Sequence, residues 1–176
     1  YNIAANDVPC LYLSLEMGEE QLVSRIIARS TQVSSSTTLY GRISDEEYNR
    51  LYDGSLKLKD LPIYFEEDSK SNFPKMMGAI RRQVKNNKVK VVFIDYLQIL
   101  ANGGRDNREA IIGDMARDLK RLAAELNIVI VALSQLARPS GGASKEPTLN
   151  RMRGSGQIEE ACDIAVLIYR PNPKTE

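Results

Sequence analysis

The sequence is short of the features that mark whole classes of protein. Its formal net charge is only +1, so no bulk attraction draws it to a polyanion, and any contact with nucleic acid has to be local. Two cysteines, Cys10 and Cys162, stand far apart in a chain without secretory features. That argues against a disulfide framework and for a reducing compartment, with both thiols as small core residues. No apolar run approaches the length of a membrane span. The longest aliphatic runs, such as IVIVAL from Ile128 to Leu133, are far too short, and no charged segment followed by an apolar one opens the chain. A soluble protein of the cytoplasm, without a membrane partner, is expected. Internal repeats and low-complexity segments are missing too.

What is present is a chain of 176 residues, 43% of them hydrophobic, enough for one domain with a proper core. Short β-rich runs suited to strands buried on both faces recur: VPCLYLSL (residues 8 to 15), LPIYFEE, VKVVFIDYLQIL (89 to 100), NIVIVALSQ, and a final run from Ile164 to Tyr169. Helical spacing fills the intervals. Gly18 to Ser30 places Leu22 and Ile26 on one face, and the polar SSSTT from Ser34 to Thr38 reads as a loop. Ser44 with Glu47 is a capping-box signature opening a helix with Tyr48, Leu51 and Tyr52, which Gly54 weakens. Pro74 suits a first helical turn, followed by Met77, Ile80 and Val84 and closed by NNK. Ile111, Met115, Leu119, Leu122 and Leu126 mark the clearest amphipathic helix. The opening YNIAAND reads as the last turn of a helix closed near Asn6, so the chain is expected to be a fragment. Strands alternating with helices predict an α/β fold with a parallel sheet flanked by helices.

In such sheets the ligand crevice lies outside the carboxyl ends of the strands. Three apolar runs end there on a polar residue: Glu16 after LYLSL, Asp95 after VVFI, and Gln135 after VALS. If their strands are neighbours, two carboxylates and an amide converge on one rim. Nucleotide hydrolysis uses such a set: an aspartate closing an apolar strand helps hold Mg²⁺ through water, a second carboxylate orients the attacking water, and an amide reports the γ-phosphate. Each residue alone has an ordinary alternative. Asp95 could cap a turn, Glu16 could complement a helix dipole, and Gln135 could be a loop residue; joint placement is what favours chemistry. A G-x-x-x-x-G-K-[ST] phosphate loop occurs nowhere in the chain. A whole ATP site is therefore not expected within these residues, and the missing loop should precede the helical tail YNIAAN.

Five segments together resemble the replicative hexameric DNA helicases of the DnaB type, within the RecA-like ATPases. They are YLSLEM (Tyr12 to Met17), VVFIDYLQIL (Val91 to Leu100), NREAIIGDMARDLKRLAAELNI (Asn107 to Ile128), VALSQLAR (Val131 to Arg138) and MRGSGQIEEACDIAVLIYR (Met152 to Arg170). The resemblance implies a RecA-like P-loop NTPase core, truncated before the P-loop and after the last strands, with residues 1–176 forming part of a single C-terminal ATPase domain. It implies ATP and Mg²⁺ as cofactors, with Glu16 polarising the hydrolytic water, Asp95 holding magnesium and Gln135 sensing the γ-phosphate. In the family an R-E-S-G segment grips single-stranded DNA; here Arg153, Gly154, Ser155 and Gly156 stand in that place, making Arg153, Gly154 and Gly156 the candidate DNA contacts. One arginine can pair a phosphate while glycine lets main-chain N–H groups approach others. Gly154 departs from the family's Glu and Ala137 from a frequent Asn, and Arg151 replaces a commonly acidic residue, raising positive charge beside the expected DNA contact. The implied partners are single-stranded DNA, identical subunits in a homo-hexamer, primase and a helicase loader. The implied arginine finger lies beyond Glu176, so the fragment alone is expected to be inactive. Two other readings stand beside this one: a RecA-like recombinase, against which the SLEM and R-x-S-G segments argue, and a non-catalytic DNA-binding loader module without a P-loop.

Overall fold

The structure, a computed structural model, describes residues 1–66, 72–101, 108–136, 146–149 and 155–171. Four strands form one parallel sheet: β1 (Cys10–Ser14), β2 (Ile63–Phe65), β3 (Val91–Asp95) and β4 (Val129–Ala132), in the spatial order β2-β1-β3-β4. Each crossover carries helix. Helices α1 (Glu19–Thr31), α2 (Ser35–Tyr40) and α3 (Asp45–Lys59) lie between β1 and β2, α4 (Phe73–Asn87) between β2 and β3, and α5 (Arg108–Leu126) between β3 and β4. A short α6 (Ser155–Ala161) follows and packs on α5.

The core sits where the aliphatic alternation of the strands meets the apolar stripes of two helices. Leu11 and Leu13 from β1 and Val92 and Ile94 from β3 are fully buried in one cluster with Met76 and Ile80 of α4 and Met115, Leu119 and Leu122 of α5. Local chemistry sets the helix limits. Asn72 accepts from the Lys75 N–H at 2.9 Å to start α4, Pro74 occupies its first turn, and Lys88 closes it at φ 55°. Ser44 and Glu47 form the expected reciprocal cap at the start of α3. The opening segment is a 3₁₀ turn over Ala4–Asn6, closed by Asp7 at φ 58°.

Three expectations are corrected. The polar run after Ser34 is helical as α2, because the Ser34 hydroxyl accepts from the Ser36 N–H at 3.3 Å and supplies a start signal. Gly54 does not weaken α3, which continues through it to Lys59. Gly54 is buried against α1, and a Cβ there would run into Cγ2 of Thr31, so glycine is what lets the two helices approach. Ile164 to Tyr169 forms no strand. Ile164, Val166 and Ile168 are 82%, 79% and 87% exposed and enter no ladder, whereas Leu167 packs against Ile112 and Ile158. The alternation is there, but a strand needs a partner's main chain as well as a pattern.

Both cysteines are free thiols, Cys10 in the core and Cys162 half-buried. Among the described residues no helix is long and apolar enough to cross a membrane.

Candidate functional site at the carboxyl edge of the sheet

Because all four strands run parallel, their carboxyl ends share one edge, and in-register pairing of Ser14 with Asp95 and of Ile94 with Ala132 brings three of those ends level. The ladder runs slightly past the strands: the Leu15 N–H donates to Asp95 O at 2.8 Å and the Leu133 N–H to Ile94 O at 2.9 Å. Asp95 is therefore the last residue of β3, and Glu16 and Gln135 follow the neighbouring strands β1 and β4 on the same margin of the sheet. Glu16 and Gln135 are exposed and Asp95 is half-buried.

The turn that presents Glu16 is built by Ser14. Its hydroxyl donates to Met17 O at 2.8 Å and accepts from the Met17 N–H at 3.1 Å, closing a tight turn in which Leu15 is buried and Glu16 faces outward. Asp95 shares a sheet face with Tyr12, whose phenol donates to Oδ2 of Asp95 at 3.0 Å. The Tyr12 ring stacks on Phe93 with centroids 6.0 Å apart and tilts against Phe65 at 6.5 Å. Burial first, then the charge of Asp95 and the hydrogen bond to it, push the Tyr12 phenol up to about 12; Arg25 acts weakly the other way. Tyr12 is thus a permanent donor to Asp95 at neutral pH.

A third strand-end carboxylate behaves differently. Glu66, following β2, pairs with Arg82 at 2.8 Å and accepts from Gln83 Nε2 at 3.0 Å, which commits it to α4. Asp95 has no cation beside it among the described residues. Among the described residues there is no group of three potential metal ligands, and hence no protein cage for an ion. A lone carboxylate with one oxygen held by Tyr12 suits an ion that keeps its waters and takes its remaining ligands from phosphates, as Mg²⁺ does.

Of the expected DNA contacts, Arg153 and Gly154 lie outside the described residues, and Gly156 falls in the first turn of α6. α6 approaches α5 closely at Gly113, where a Cβ would collide with Gln157. Ser14, Tyr12 and the buried Gln98 are site neighbours that the sequence did not single out. The signal for Gln98 was an uncharged polar residue inside the apolar run LQIL.

The family model of the DnaB-like helicase C-terminal domain matches residues 1–176. The chain belongs to this family. Relatives in the DnaB-like group include the "Probable plasmid replicative DNA helicase" of Chlamydia muridarum (strain MoPn / Nigg), 39% identical over 160 residues, covering 90% of this chain and 36% of the relative. The replicative DNA helicase DnaB of Rickettsia bellii (strain RML369-C) is 34% identical over 161 residues, covering 90% and 32%. The chain spans about a third of the length of these curated relatives. Among solved structures, an ATPase domain superimposes with a TM-score of 0.85 at 30% identity, over 96% of this chain and 62% of that one. A structure titled as a DnaB-like replicative helicase and its interactions with primase gives 0.81 at 30% identity, over 92% and 41%. The fold is therefore that of a RecA-like DnaB helicase ATPase domain, the α/β class expected from the strand and helix alternation.

Proposed function

We propose that this chain is the central part of the motor of an ATP-dependent replicative DNA helicase, which unwinds duplex DNA by translocating on one strand. The observation that supports the reading is that Asp95 ends β3 in register with Ser14 of β1, while Glu16 and Gln135 follow the adjoining strands β1 and β4 at the same edge of the sheet, in a chain of the DnaB-like family. In this reading Asp95 holds Mg²⁺ through water, with Tyr12 fixing its orientation; Glu16 orients and polarises the attacking water; Gln135 contacts the γ-phosphate. The ion would neutralise charge developing on the transferred phosphoryl group. Arg153, Gly154 and Gly156 track the backbone of single-stranded DNA without reading bases.

The phosphate cradle is not within these 176 residues, so the motor works only in a longer protein. That protein is proposed to form a homo-hexamer in the cytoplasm, to bind ATP between subunits, and to work with primase and a loader. The 176-residue chain by itself is proposed to be inactive. The test is ATP hydrolysis by the full-length protein with and without single-stranded DNA. DNA-stimulated turnover is expected, and Glu16→Gln is expected to abolish it while leaving nucleotide binding in place. Turnover that survives Glu16→Gln removes the catalytic assignment, and a full-length protein without hydrolysis points to the non-catalytic loader module instead.

A further inference from the structure

Gln98 is buried to 3% exposure, one of three buried polar side chains among the described residues and the sole amide of the three. It lies in the 3₁₀ turn Leu97–Ile99 that follows β3, three residues beyond Asp95. Burying an amide is unfavourable unless its donor and acceptor are both engaged, and an apolar side chain of similar size would fill the space at lower cost. Here both ends are engaged, and with the same short segment. Nε2 donates to Ser134 Oγ at 2.7 Å, and Oε1 accepts from the Gln135 main-chain N–H at 3.4 Å. A main-chain N–H can only donate, so this second contact sets which way round the amide sits.

These bonds extend the β3–β4 connection where the ladder has stopped. The Leu97 N–H reaches Leu133 O at 3.2 Å, and beyond it the main-chain pairing gives out. The Gln98 side chain then spans to residues 134 and 135, which belong to no strand. On its other side, the Gln98 carbonyl accepts from Arg108 Nη2 at 2.7 Å, tying the same turn to the first residue of α5. The Gln135 side chain stays exposed while its main chain is held.

We infer that Gln98 is the positioning residue for Gln135: it fixes the main chain from which that side chain projects and couples it to the turn that follows Asp95. The inference rests on the proposed role of Gln135 at the γ-phosphate. Gln98 touches no nucleotide in it and acts through Gln135 alone. A link of this kind makes the amide and the carboxylate move as one unit when nucleotide binds or leaves.

Two measurements on the full-length protein separate the inference from the reading beneath it. In the first, amide exchange is resolved at Gln135 for wild type, Gln98→Leu and Ser134→Ala. Exchange at Gln135 is expected to rise about tenfold in Gln98→Leu, and to a smaller extent in Ser134→Ala, with Leu13 and Ile94 unchanged. Unchanged exchange at Gln135 in both variants overturns the inference, whatever the enzyme does. Ser134→Ala removes one hydrogen bond without altering core volume, which covers the case in which Gln98→Leu fails to fold. In the second, DNA-stimulated turnover is compared for Gln98→Leu, Gln135→Leu and the double variant. A double variant no slower than Gln135→Leu is the expected result, and multiplied losses would show that Gln98 acts independently of Gln135. If Gln135→Leu alone leaves turnover intact, the γ-phosphate role fails, while the exchange experiment still decides the positioning role.

Discussion

Tyr12 and Asp95, 83 residues apart in the chain, meet across β1 and β3 in a hydrogen bond of 3.0 Å from the phenol to a carboxylate oxygen. Phe65 on β2 and Phe93 on β3 flank the Tyr12 ring from its two neighbouring strands. The bond orients the carboxylate, and together with burial, the larger cause, it makes the phenol resist ionisation.

That resistance makes an alkaline prediction. The Tyr12 phenol rises from its ordinary 10.0 to about 12 in the folded chain. Between those values the unfolded phenol ionises first, so the folded state binds more protons and loses stability as pH rises. The contribution is fully present below about pH 10 and gone above about pH 12. Tyr12→Phe removes this slope, and absorbance titration of the variant should lack the tyrosine that ionises at about 12 in the wild type. Identical stability profiles for wild type and variant across that window would show that the bond does not form.

Gly54 makes a packing prediction. In an exposed helix, Gly→Ala gains up to about 1 kcal/mol from propensity. At this position the new methyl meets Thr31 Cγ2, and overpacking costs about 1–3 kcal/mol. Gly54→Ala is therefore expected to lower the urea midpoint. Thr31→Ser in the same chain should recover part of the loss, because it removes Cγ2 and keeps the hydroxyl bonded to Ile27 O and the Val33 N–H. A neutral or stabilising Gly54→Ala contradicts the close approach of α1 and α3.

Two adjacent methionines on α4 test the helix register. Met76 is fully buried in the main core, while Met77 packs against its margin. Met76→Ala should cost about 2–5 kcal/mol, the range for large-to-small core substitutions. Met77→Ala should cost clearly less by the same denaturation measurement. Equal losses would mean that α4 is rotated from the orientation described.

The cap of α3 makes an acid prediction. Hydrogen bonds from the Ser44 N–H and hydroxyl hold the Glu47 carboxyl below its ordinary value. A depressed carboxylate contributes stability above its unfolded pKa and loses it as pH falls through the folded one. Ser44→Ala should cost about 1 kcal/mol at neutral pH, and the Glu47 titration, followed by NMR, should shift upward in that variant. An unshifted titration would mean that the reciprocal cap is not formed in solution.

Much of this architecture was legible in the chain because the relevant forces are local. The capping box at Ser44, the proline at the head of α4, and the alternation of aliphatic runs with amphipathic stretches each depend on neighbours within a few residues. Strand-end placement of Glu16, Asp95 and Gln135 followed from parallel topology plus the position where each apolar run stopped. Elsewhere local rules misled. A serine-threonine run read as a loop turned out to carry its own cap in Ser34, and Gly54 read as a flaw in α3 is the contact that lets α3 lie on α1. The run Ile164 to Tyr169 has the pattern of a strand and lacks the partner that would make it one.

By itself the sequence determined the class of fold, its alternation of four strands with the main helices, and the three polar residues left at the strand ends, since periodicity and capping act over one or two turns of chain. The tertiary structure alone decided that Tyr12 holds Asp95, that Arg82 and Gln83 occupy Glu66, and that Gln98 grips the segment before Gln135. Those are contacts between residues 83, 16, 17, 36 and 37 positions apart. Nothing in local propensity encodes them, because each bond forms only after the strands have been brought into register.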